Sequence, residues 1–494
     1  MSSVPPPPPP TITLIPAEAS LFTFLLSVAL TSPTPVILRV AGGWVRDKLL
    51  NKQSSDIDIA LDTLSGVDFA TLCCEYLEGK EEEPDKKKPK FATIQSNPEQ
   101  SKHLETATMN LFDYSIDFTN LRTETYSSTT NRIPEIAFGT PSEDSSRRDF
   151  TVNSLFYNIT TSKIEDYYNG ISDLNNGMIR TPLNPKLTFL DDPLRVLRGV
   201  RFSSRFGFCL EGGVVGAMKD DEVREALRMK VSKERVGKEL MGCFKTDEGG
   251  VEAFKLLTSL KLDEVIFECP DGVKLGHQYV SKVDCYVGVP GVDIRLLLIS
   301  AILSPNASET FEELQKNGKT YKPRNKVHWV IRDGIKWKSQ DASDVQMLVE
   351  SLGVGGDLLR NAEADRLECG MFLRNCKGLW RTGLALAVIK MIGNGEDASD
   401  LYEKTMTKFT NFNLEDCWKQ KPVVDGKTLQ TTLNLGKGPE VGKWMKKVVE
   451  FMLVNEGGSK EQCIEYLKEC KEREMEVERG MEVEVDKKVD EGVK

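Results

Sequence analysis

The sequence is poor in histidine, which narrows the chemistry it can carry. Its 494 residues include three histidines, His103, His277 and His328, which lie far apart. A histidine-rich metal site needs several imidazoles close together, and a Ser-His-Asp triad needs one beside a nucleophile and an acid. This scarcity argues against both kinds of site.

Paired cysteines, early basic residues and long apolar runs are also missing. The 11 cysteines include no C-x-x-C pair, and an odd number cannot all pair internally, so we expect a reducing compartment. No basic residue precedes Arg39, so we expect neither an Arg-rich transit peptide nor the charged start of a signal peptide. The apolar run from Leu21 to Leu30 has about half the ~20 residues of a membrane span and predicts a buried helix.

A surplus of positive charge is absent as well. Lysine and arginine total 65 against 75 aspartates and glutamates, a formal net charge of −10. This excludes a whole-protein positive field for nucleic acid but leaves room for a local basic face. At 39% hydrophobic and 28% charged, the composition is that of a soluble globular protein. The length suits about two to four domains.

Two kinds of patterning divide the chain. Between Val36 and Ile159, short β-rich runs alternate with helical stretches, which predicts a mixed α/β domain. Within it we expect a strand at Asp56–Leu61 and a closing helix at 147–158. From about Leu190 onward nearly every segment has apolar residues at helical spacing. The remaining segments predict a polyproline II tail at 5–10, an exposed insertion at 78–90, a mobile loop at 123–132 and a fraying charged helix at 459–494.

The sharpest feature is the sequence Asp56-Ile57-Asp58-Ile59. On a strand, residues two apart project from the same face, so both carboxylates point one way while the isoleucines are buried on the other. Two anionic groups held close together on a rigid strand can bind Mg²⁺ for an in-line phosphoryl displacement. The alternative is an edge strand that carries two solvated acids.

A paired-glycine turn stands shortly upstream, in Ala41-Gly42-Gly43-Trp44-Val45-Arg46-Asp47. Glycines let a ligand approach the backbone closely and expose N–H groups at a helix N-terminus, where polyphosphate binds well. Arg46 adds a forked donor in the first turn. Most such glycine pairs are turns without a ligand, but one followed by the D-x-D strand indicates a triphosphate site.

Two arginine-rich motifs follow at 147–153 and 191–201. In Arg147-Arg148-Asp149-Phe150-Thr151-Val152-Asn153, we expect Arg148 to contact phosphate or sugar, unless this is a helix whose Asp149 pairs with a nearby arginine. In the second motif, Asp191 or Asp192 can cap a helix with Pro193 in its first turn. One face of that helix would carry Arg195, Arg198, Arg201 and Arg205. A merely solvated basic face is the alternative, but arginine without lysine favours a planar, bidentate ligand.

Taken in order, the motifs at 41–47, 56–58, 147–153, 191–201 and 232–240 resemble the class II tRNA nucleotidyltransferases. These are the CCA-adding enzymes and their relatives, the bacterial-type poly(A) polymerases. The resemblance covers roughly residues 20–260, and the sequences at 103–108 and 116–126 look like the eukaryotic CCA-adding branch. The HD phosphohydrolase domain of some bacterial members is not expected, because the chain has no His-Asp doublet.

The resemblance implies a role for each matched residue. Asp56 and Asp58 would be the catalytic acids that bind Mg²⁺, with Asp117 as a candidate third carboxylate. The residues implied to bind triphosphate and nucleotide are Gly42, Gly43, Arg46, Arg148, Arg198 and Arg201.

The remaining pair, Asp192 and Arg195, would hydrogen-bond the incoming base. Cytosine and adenine both present an amino donor beside a ring-nitrogen acceptor, whereas uracil and guanine present a carbonyl beside an N–H. A carboxylate next to a guanidinium therefore fits C and A, and it leaves unpaired polar groups with U and G.

The implied fold is an α+β nucleotidyltransferase head with a mixed, polymerase β-like sheet, followed by an all-α neck, body and tail. The expected divisions are a Pro-rich tail at 1–19, the head at 20–160, the neck at 161–250, body and tail at 251–458 and a charged extension at 459–494.

The implied activity is template-independent, Mg²⁺-dependent addition of CCA to the 3′ end of tRNA from CTP and ATP. The helical regions would bind the acceptor end and TΨC arm. We expect a monomer with no membrane partner, in the cytoplasm, with the nucleus or mitochondrion as further compartments. Two alternatives stay open: a relative that adds only CC, only A or poly(A), and a catalytically silent RNA-binding protein of the same fold.

Overall fold

The computed structural model describes residues 10–54, 56–79, 91–94, 106–125, 135–312, 323–436 and 438–491. The predicted polyproline tail, most of the insertion at 78–90, and residues 103–105 and 126–132 lie outside the described residues. The chain forms two compact units, one of residues 1–249 with 256–265 and one of residues 250–255 with 266–494. The finer domain boundaries expected at 160, 250 and 458 stay predictions.

A mixed sheet forms the centre of the first unit, as the sequence predicts. Its seven strands lie in the order β3-β4-β5-β2-β1-β8-β9, and only the central pair β2–β5 is parallel. The strands of this sheet are β1 (Leu38–Ala41), β2 (Asp56–Leu61), β3 (Phe91–Ile94), β4 (Thr106–Leu111), β5 (Tyr114–Asn120), β8 (Phe156–Asn158) and β9 (Lys163–Glu165). Shorter two-stranded pairs are β6 (Arg122–Thr125) with β7 (Glu135–Phe138), β10 (Met178–Ile179) with β11 (Cys209–Leu210), and β12 (Thr310–Phe311) with β13 (Arg324–Asn325).

Helices make up most of the rest of the described chain. Those of residues 10–249 are α1 (Pro16–Ala29), α2 (Gly43–Leu49), α3 (Gly66–Glu78), α4 (Pro141–Ser146), α5 (Gly170–Asn175), α6 (Pro185–Asp191), α7 (Leu194–Phe206), α8 (Gly212–Met218), α9 (Asp221–Lys230) and α10 (Lys233–Cys243). Those that follow are α11 (Asp247–Ser259), α12 (Asp263–Ile266), α13 (His277–Val280), α14 (Ile294–Leu303), α15 (Lys326–Trp329), α16 (Ser339–Glu350), α17 (Leu352–Arg360), α18 (Arg366–Cys376), α19 (Trp380–Gly393), α20 (Leu401–Asn411), α21 (Gly426–Leu433), α22 (Pro439–Val454) and α23 (Lys460–Glu491).

Helix α1 covers one face of the sheet. Its residues Leu21, Leu25 and Val28 recur at helical spacing, are fully buried, and join a core that includes Ile57 and Ile59 of β2. The apolar run therefore forms the buried helix that the sequence predicts. Across the described residues, no helix combines the length and apolar character that crossing a membrane requires.

A buried acid joins α1 to α2. Glu18 is fully buried, and its Oε1 accepts hydrogen bonds from Trp44 Nε1 at 3.1 Å and from Lys48 Nζ at 2.7 Å. Buried charges are retained when they are paired and hydrogen-bonded. This contact fixes the position of α2, and with it the glycine turn that precedes α2.

Two local predictions are wrong. Residues 147–158 do not form a helix: α4 ends at Ser146, a single 3₁₀ turn spans Thr151–Asn153, and β8 follows. Pairing of β8 with β1 in the middle of a buried sheet overrides the helical spacing. Residues 123–125 of the expected loop belong instead to β6, where threonines suit an extended strand.

Removing a buried side chain of α1 should destabilise the first unit. We expect Leu25→Ala to lower the free energy of unfolding by about 3 kcal/mol, because it leaves a cavity in the core. Leu30→Ala, at a side chain that is 88% exposed, should change it by less than about 0.5 kcal/mol. Urea unfolding followed by circular dichroism would measure both; equal effects would contradict the assigned burial of α1.

Candidate active site

A cleft of about 670 Å³ in the first unit is lined by β2, the turn before α2, the segment 147–153 and α7. Its cations are Arg46, Arg147, Arg148, Arg195, Arg198, Arg201, Arg205, Arg235 and Lys245. Its acids are Asp47, Asp56, Asp58, Asp149 and Asp192. The cleft is therefore a local basic face on an acidic chain. It brings together every site residue expected from the sequence except Asp117.

The two acids of β2 point into this cleft. Burial alternates along the strand, so Asp56 and Asp58 are exposed while Ile57 and Ile59 lie in the core. Desolvation raises the pKa of Asp58, and the neighbouring carboxylates of Asp117 and Asp56 raise it further against the opposing charge of Arg148. Carboxylates that disfavour one another's charge favour a bound cation.

The donor set fits a magnesium ion. Mg²⁺ is usually bound through one or two carboxylates, with water and substrate phosphates completing its shell. Asp117 is the register neighbour of Asp58, but its Oδ1 accepts a 2.6 Å hydrogen bond from Thr108. Within the described ranges, no three His, Cys, Asp or Glu side chains form a metal-binding group. The structure thus favours the pair Asp56 and Asp58 over a three-carboxylate site.

The backbone geometry of the turn before α2 requires glycine at position 42. Gly42 has a φ of +64°, and a Cβ atom there would lie 2.8 Å from Arg148 Nη1 and 3.2 Å from the Asn153 carbonyl oxygen. Only glycine adopts this backbone without strain and leaves room for the arginine. Because α2 begins at Gly43, the N–H groups of its first turn have no acceptor within the helix.

Arg46 lies in the wall of the cleft. Its guanidinium donates to Asp47 Oδ1 at 2.9 and 2.7 Å and to the Asn153 side-chain oxygen. The rings of Phe206 and Phe202 lie 4.8 and 5.2 Å from it. Desolvation lowers the pKa of Arg46 against the opposing effect of Asp47. A forked donor is present, as the sequence predicts, but most of it is already hydrogen-bonded within the protein.

Asp149 joins the segment 147–153 to α7. It is buried and accepts hydrogen bonds from Arg198 Nε at 2.6 Å, Asn153 Nδ2 at 2.9 Å and Phe150 N at 2.8 Å. Burial alone would raise the pKa of Asp149, but Arg198 and these hydrogen bonds hold it below its usual range. The local helical pairing considered for Asp149 is wrong, because its partner lies 49 residues away.

Helix α7 presents its arginines to the cleft and buries Val196, Leu197 and Val200, as the sequence predicts. Arg195 donates to the carbonyl oxygens of Arg147 at 2.7 Å and Thr188 at 3.3 Å. On the same face, Arg201 Nε donates to Glu239 at 2.6 Å. The Phe202 ring also contacts the guanidinium groups of Arg46, Arg198 and Arg201.

Asp192 meets a residue that the sequence did not single out. Its carboxylate lies 3.2 Å from Arg235 Nη2 and accepts a 3.3 Å hydrogen bond from Leu194 N, while Pro193 occupies the N-cap position. Arg235 belongs to the motif at 232–240, so its place in the motif was a signal that could have identified it. Glu239 belongs to the same motif and carried the same signal, whereas Phe202 lies outside every motif and carried none.

Comparisons with known proteins agree with these motifs. A family model described as the poly(A) polymerase head domain matches residues 38–180. The mitochondrial CCA tRNA nucleotidyltransferase of Saccharomyces cerevisiae is 36% identical over 490 residues, with 88% of each chain covered. The protein of the same name from Candida glabrata is 34% identical over 484 residues, covering 88% of this chain and 90% of its own. Among solved structures, the Thermotoga maritima CCA-adding enzyme complexed with tRNA has a TM-score of 0.60 at 18% identity, covering 92% of this chain and 96% of its own, and supports the fold.

The charge of Asp149 should make stability depend on pH. Since its pKa is lower folded than unfolded, its charge stabilises the protein above about pH 4, and this contribution is lost as pH falls through the folded-state pKa. We expect Asp149→Asn to cost about 1–3 kcal/mol at pH 7, because Arg198 stays partly hydrated, and less at pH 3. Urea unfolding at both pH values would show this, with the exposed Asp221→Asn as control. A pH-independent cost would contradict the assignment.

Proposed function

This chain belongs to the CCA tRNA nucleotidyltransferase family, and on that premise we propose that it adds C, C and A to the 3′ end of tRNA. The substrates would be CTP and ATP, and pyrophosphate would be released. One observation carries the proposal: the carboxylates of Asp56 and Asp58 open into the same basic cleft as Asp192 and Arg195. The first pair suits phosphoryl transfer, and the second suits recognition of a base.

The phosphoryl chemistry is assigned to β2. Asp56 and Asp58 would hold Mg²⁺, which supplies charge stabilisation for the attacking 3′ oxygen and the departing pyrophosphate. Gly42 and Gly43 would let the triphosphate approach the start of α2. Around it, Arg148, Arg198 and Arg201 would contact the nucleotide, with Arg46 supporting the wall behind them. The proton of the attacking hydroxyl leaves as its oxygen bonds to the α-phosphorus and pyrophosphate departs.

Base selection is assigned to the start of α7. Asp192 would accept from the exocyclic amino group of cytosine or adenine, and Arg195 would donate to the adjacent ring nitrogen. A backbone hydrogen bond from Arg195 N to Asp192 O at 3.0 Å fixes the two residues relative to each other. Further support comes from Arg235 and the Arg147 carbonyl oxygen, which hold the two side chains at the cleft. Protein side chains would thus replace a template strand.

The names of the relatives support a proposal for the RNA partner and for the compartment. The proteins similar over most of this chain are named for tRNA and CCA, which favours tRNA as the acceptor. Two are named mitochondrial, which supports the mitochondrion beside the cytoplasm. We propose that the helical residues 251–458 bind the acceptor end and TΨC arm of tRNA, and we retain the monomer as the expected state.

A direct assay separates the alternatives. Purified protein would be given tRNA that lacks its last three nucleotides, or tRNA that already ends in CC, with CTP alone, ATP alone or both. On the shorter RNA we expect two additions with CTP and three with both nucleotides. Arrest after two C residues with both present would indicate a CC-adding relative. Addition of A only to tRNA that already ends in CC would indicate an A-adding one, and long tails with ATP a poly(A) polymerase. No addition to either RNA would indicate the catalytically silent RNA-binding protein of the same fold.

Loss of a β2 carboxylate should abolish addition without loss of RNA binding. We expect Asp56→Ala to lower kcat by about 10³-fold or more, because the metal ion that would offset the triphosphate charge loses one of its protein ligands. The dissociation constant for tRNA, measured by fluorescence anisotropy, should stay within about twofold. Glu75→Ala, an exposed acid on α3, serves as the matched control. Near-normal turnover by Asp56→Ala would refute the metal role.

Removing the base-reading guanidinium should relax selectivity. We expect Arg195→Ala to raise incorporation of UTP and GTP relative to CTP and ATP by about tenfold or more, since the wrong bases no longer face a mismatched donor. Single-turnover kcat/KM with each nucleotide measures this. Arg205→Ala removes an arginine from the same helix face and should lower activity without changing the ratio. Unchanged selectivity in Arg195→Ala would exclude the base-reading role.

A further inference from the structure

A carboxylate behind the cleft, Asp144 of α4, is 1% exposed. Its Oδ1 accepts from Arg147 Nε at 2.9 Å and Nη2 at 2.5 Å. Its Oδ2 accepts from Arg148 Nε at 3.0 Å and Nη2 at 2.9 Å. One carboxylate therefore orients two guanidinium groups, each through two hydrogen bonds that converge on a single oxygen.

The side chains of Asp144, Arg147 and Arg148 are buried to different extents. The side chain of Asp144 is 2% exposed, whereas those of Arg147 and Arg148 are 24% and 22% exposed and line the cleft. Burial alone would raise the pKa of Asp144, but Arg148 and Arg147 hold it below its usual range, so it stays ionised at neutral pH. The carboxylate of Asp144 therefore lies behind the wall of the cleft, and the guanidinium groups of its two partners line the cleft.

The rest of the Arg148 side chain is confined as well. Its Nη1 lies 3.4 Å from the Asn153 carbonyl oxygen, its guanidinium lies 5.0 Å from the Phe156 ring, and the missing Cβ of Gly42 leaves it room. Asp144 supplies four of the hydrogen bonds that hold this pair of arginines. Without its charge, the Phe156 ring and one long carbonyl contact would have to orient Arg148.

Asp144 also touches a third element. The backbone N–H of Arg122, at the start of β6, donates to Asp144 Oδ1 at 3.3 Å. Gly139 N donates to the Leu121 carbonyl oxygen at 3.0 Å, so the end of β7 is held at the same place. The start of β6 and the guanidinium groups of Arg147 and Arg148 are therefore held by one carboxylate.

We propose that Asp144 is a positioning residue for nucleotide binding, which holds Arg147 and Arg148 in the orientation that meets the nucleotide. The proposal rests on the proposed function, because it needs a nucleotide in this cleft. Its two guanidinium partners line the cleft, whereas the carboxylate itself is buried behind them.

The test compares Asp144→Asn with wild type in the nucleotide-addition assay. The amide keeps the size of the side chain but loses its charge and half its acceptors. We expect KM for both CTP and ATP to rise about tenfold or more, while kcat and the dissociation constant for tRNA change less than about threefold. Asp173→Asn is the matched control, because Asp173 is also buried and paired with an arginine, Arg180, but lies outside the cleft.

A triple variant shows whether Asp144 acts through its two arginines. With Arg147→Lys and Arg148→Lys already present, adding Asp144→Asn should raise KM for CTP by less than about threefold, because the groups it positions are gone. Independent, multiplying effects would overturn the proposal, as would an unchanged KM in Asp144→Asn or equal effects from Asp173→Asn. If Asp144→Asn does not fold, Asp144→Glu keeps the charge, displaces it by one methylene, and should raise KM in the same direction. Wild-type protein that adds no nucleotide would instead refute the proposed function.

Discussion

Like charges crowded into one cleft repel each other, and the first unit depends on how that repulsion is balanced. Several of the arginines are backed by carboxylates: Asp144 behind Arg147 and Arg148, Asp149 behind Arg198, and Glu239 behind Arg201. The rings of Phe202 and Phe206 also contact guanidinium groups of the cleft through cation–π interactions. These partners hold the guanidinium groups in place, so the proposed nucleotide would not have to order them on binding.

The contrast between the cleft and the whole chain has a consequence for RNA. A net charge of −10 repels a polyanion over most of the surface, while the cleft concentrates positive charge in one place. Non-specific binding of nucleic acid grows with the number of phosphates a protein neutralises, so a confined basic region limits it. Such a distribution suits an enzyme that acts on one RNA end and releases it.

Much of the site could be predicted from local sequence, because its residues are set by short-range geometry. Strand β2 has the predicted bounds and helix α7 carries the predicted arginine face, since alternation fixes the two faces of a strand and 100° spacing fixes the faces of a helix. The partners of the arginines could not be predicted in this way. Arg198 meets Asp149 across 49 residues and Arg201 meets Glu239 across 38, and such contacts arise from packing. The failure at 147–158 has the same origin, because β8 is a strand through its pairing with β1 and β9.

The buried acid at position 18 ties the first helix of the chain to the catalytic half of the molecule. The recognisable homology to the head domain starts at residue 38, twenty residues after that acid. A protein trimmed to this homology would leave the indole nitrogen of Trp44 and the ammonium of Lys48 without their shared acceptor, in the helix that follows the glycine turn. The segment before the homologous region is thus a structural part of the enzyme, and shortened versions made for expression should retain it.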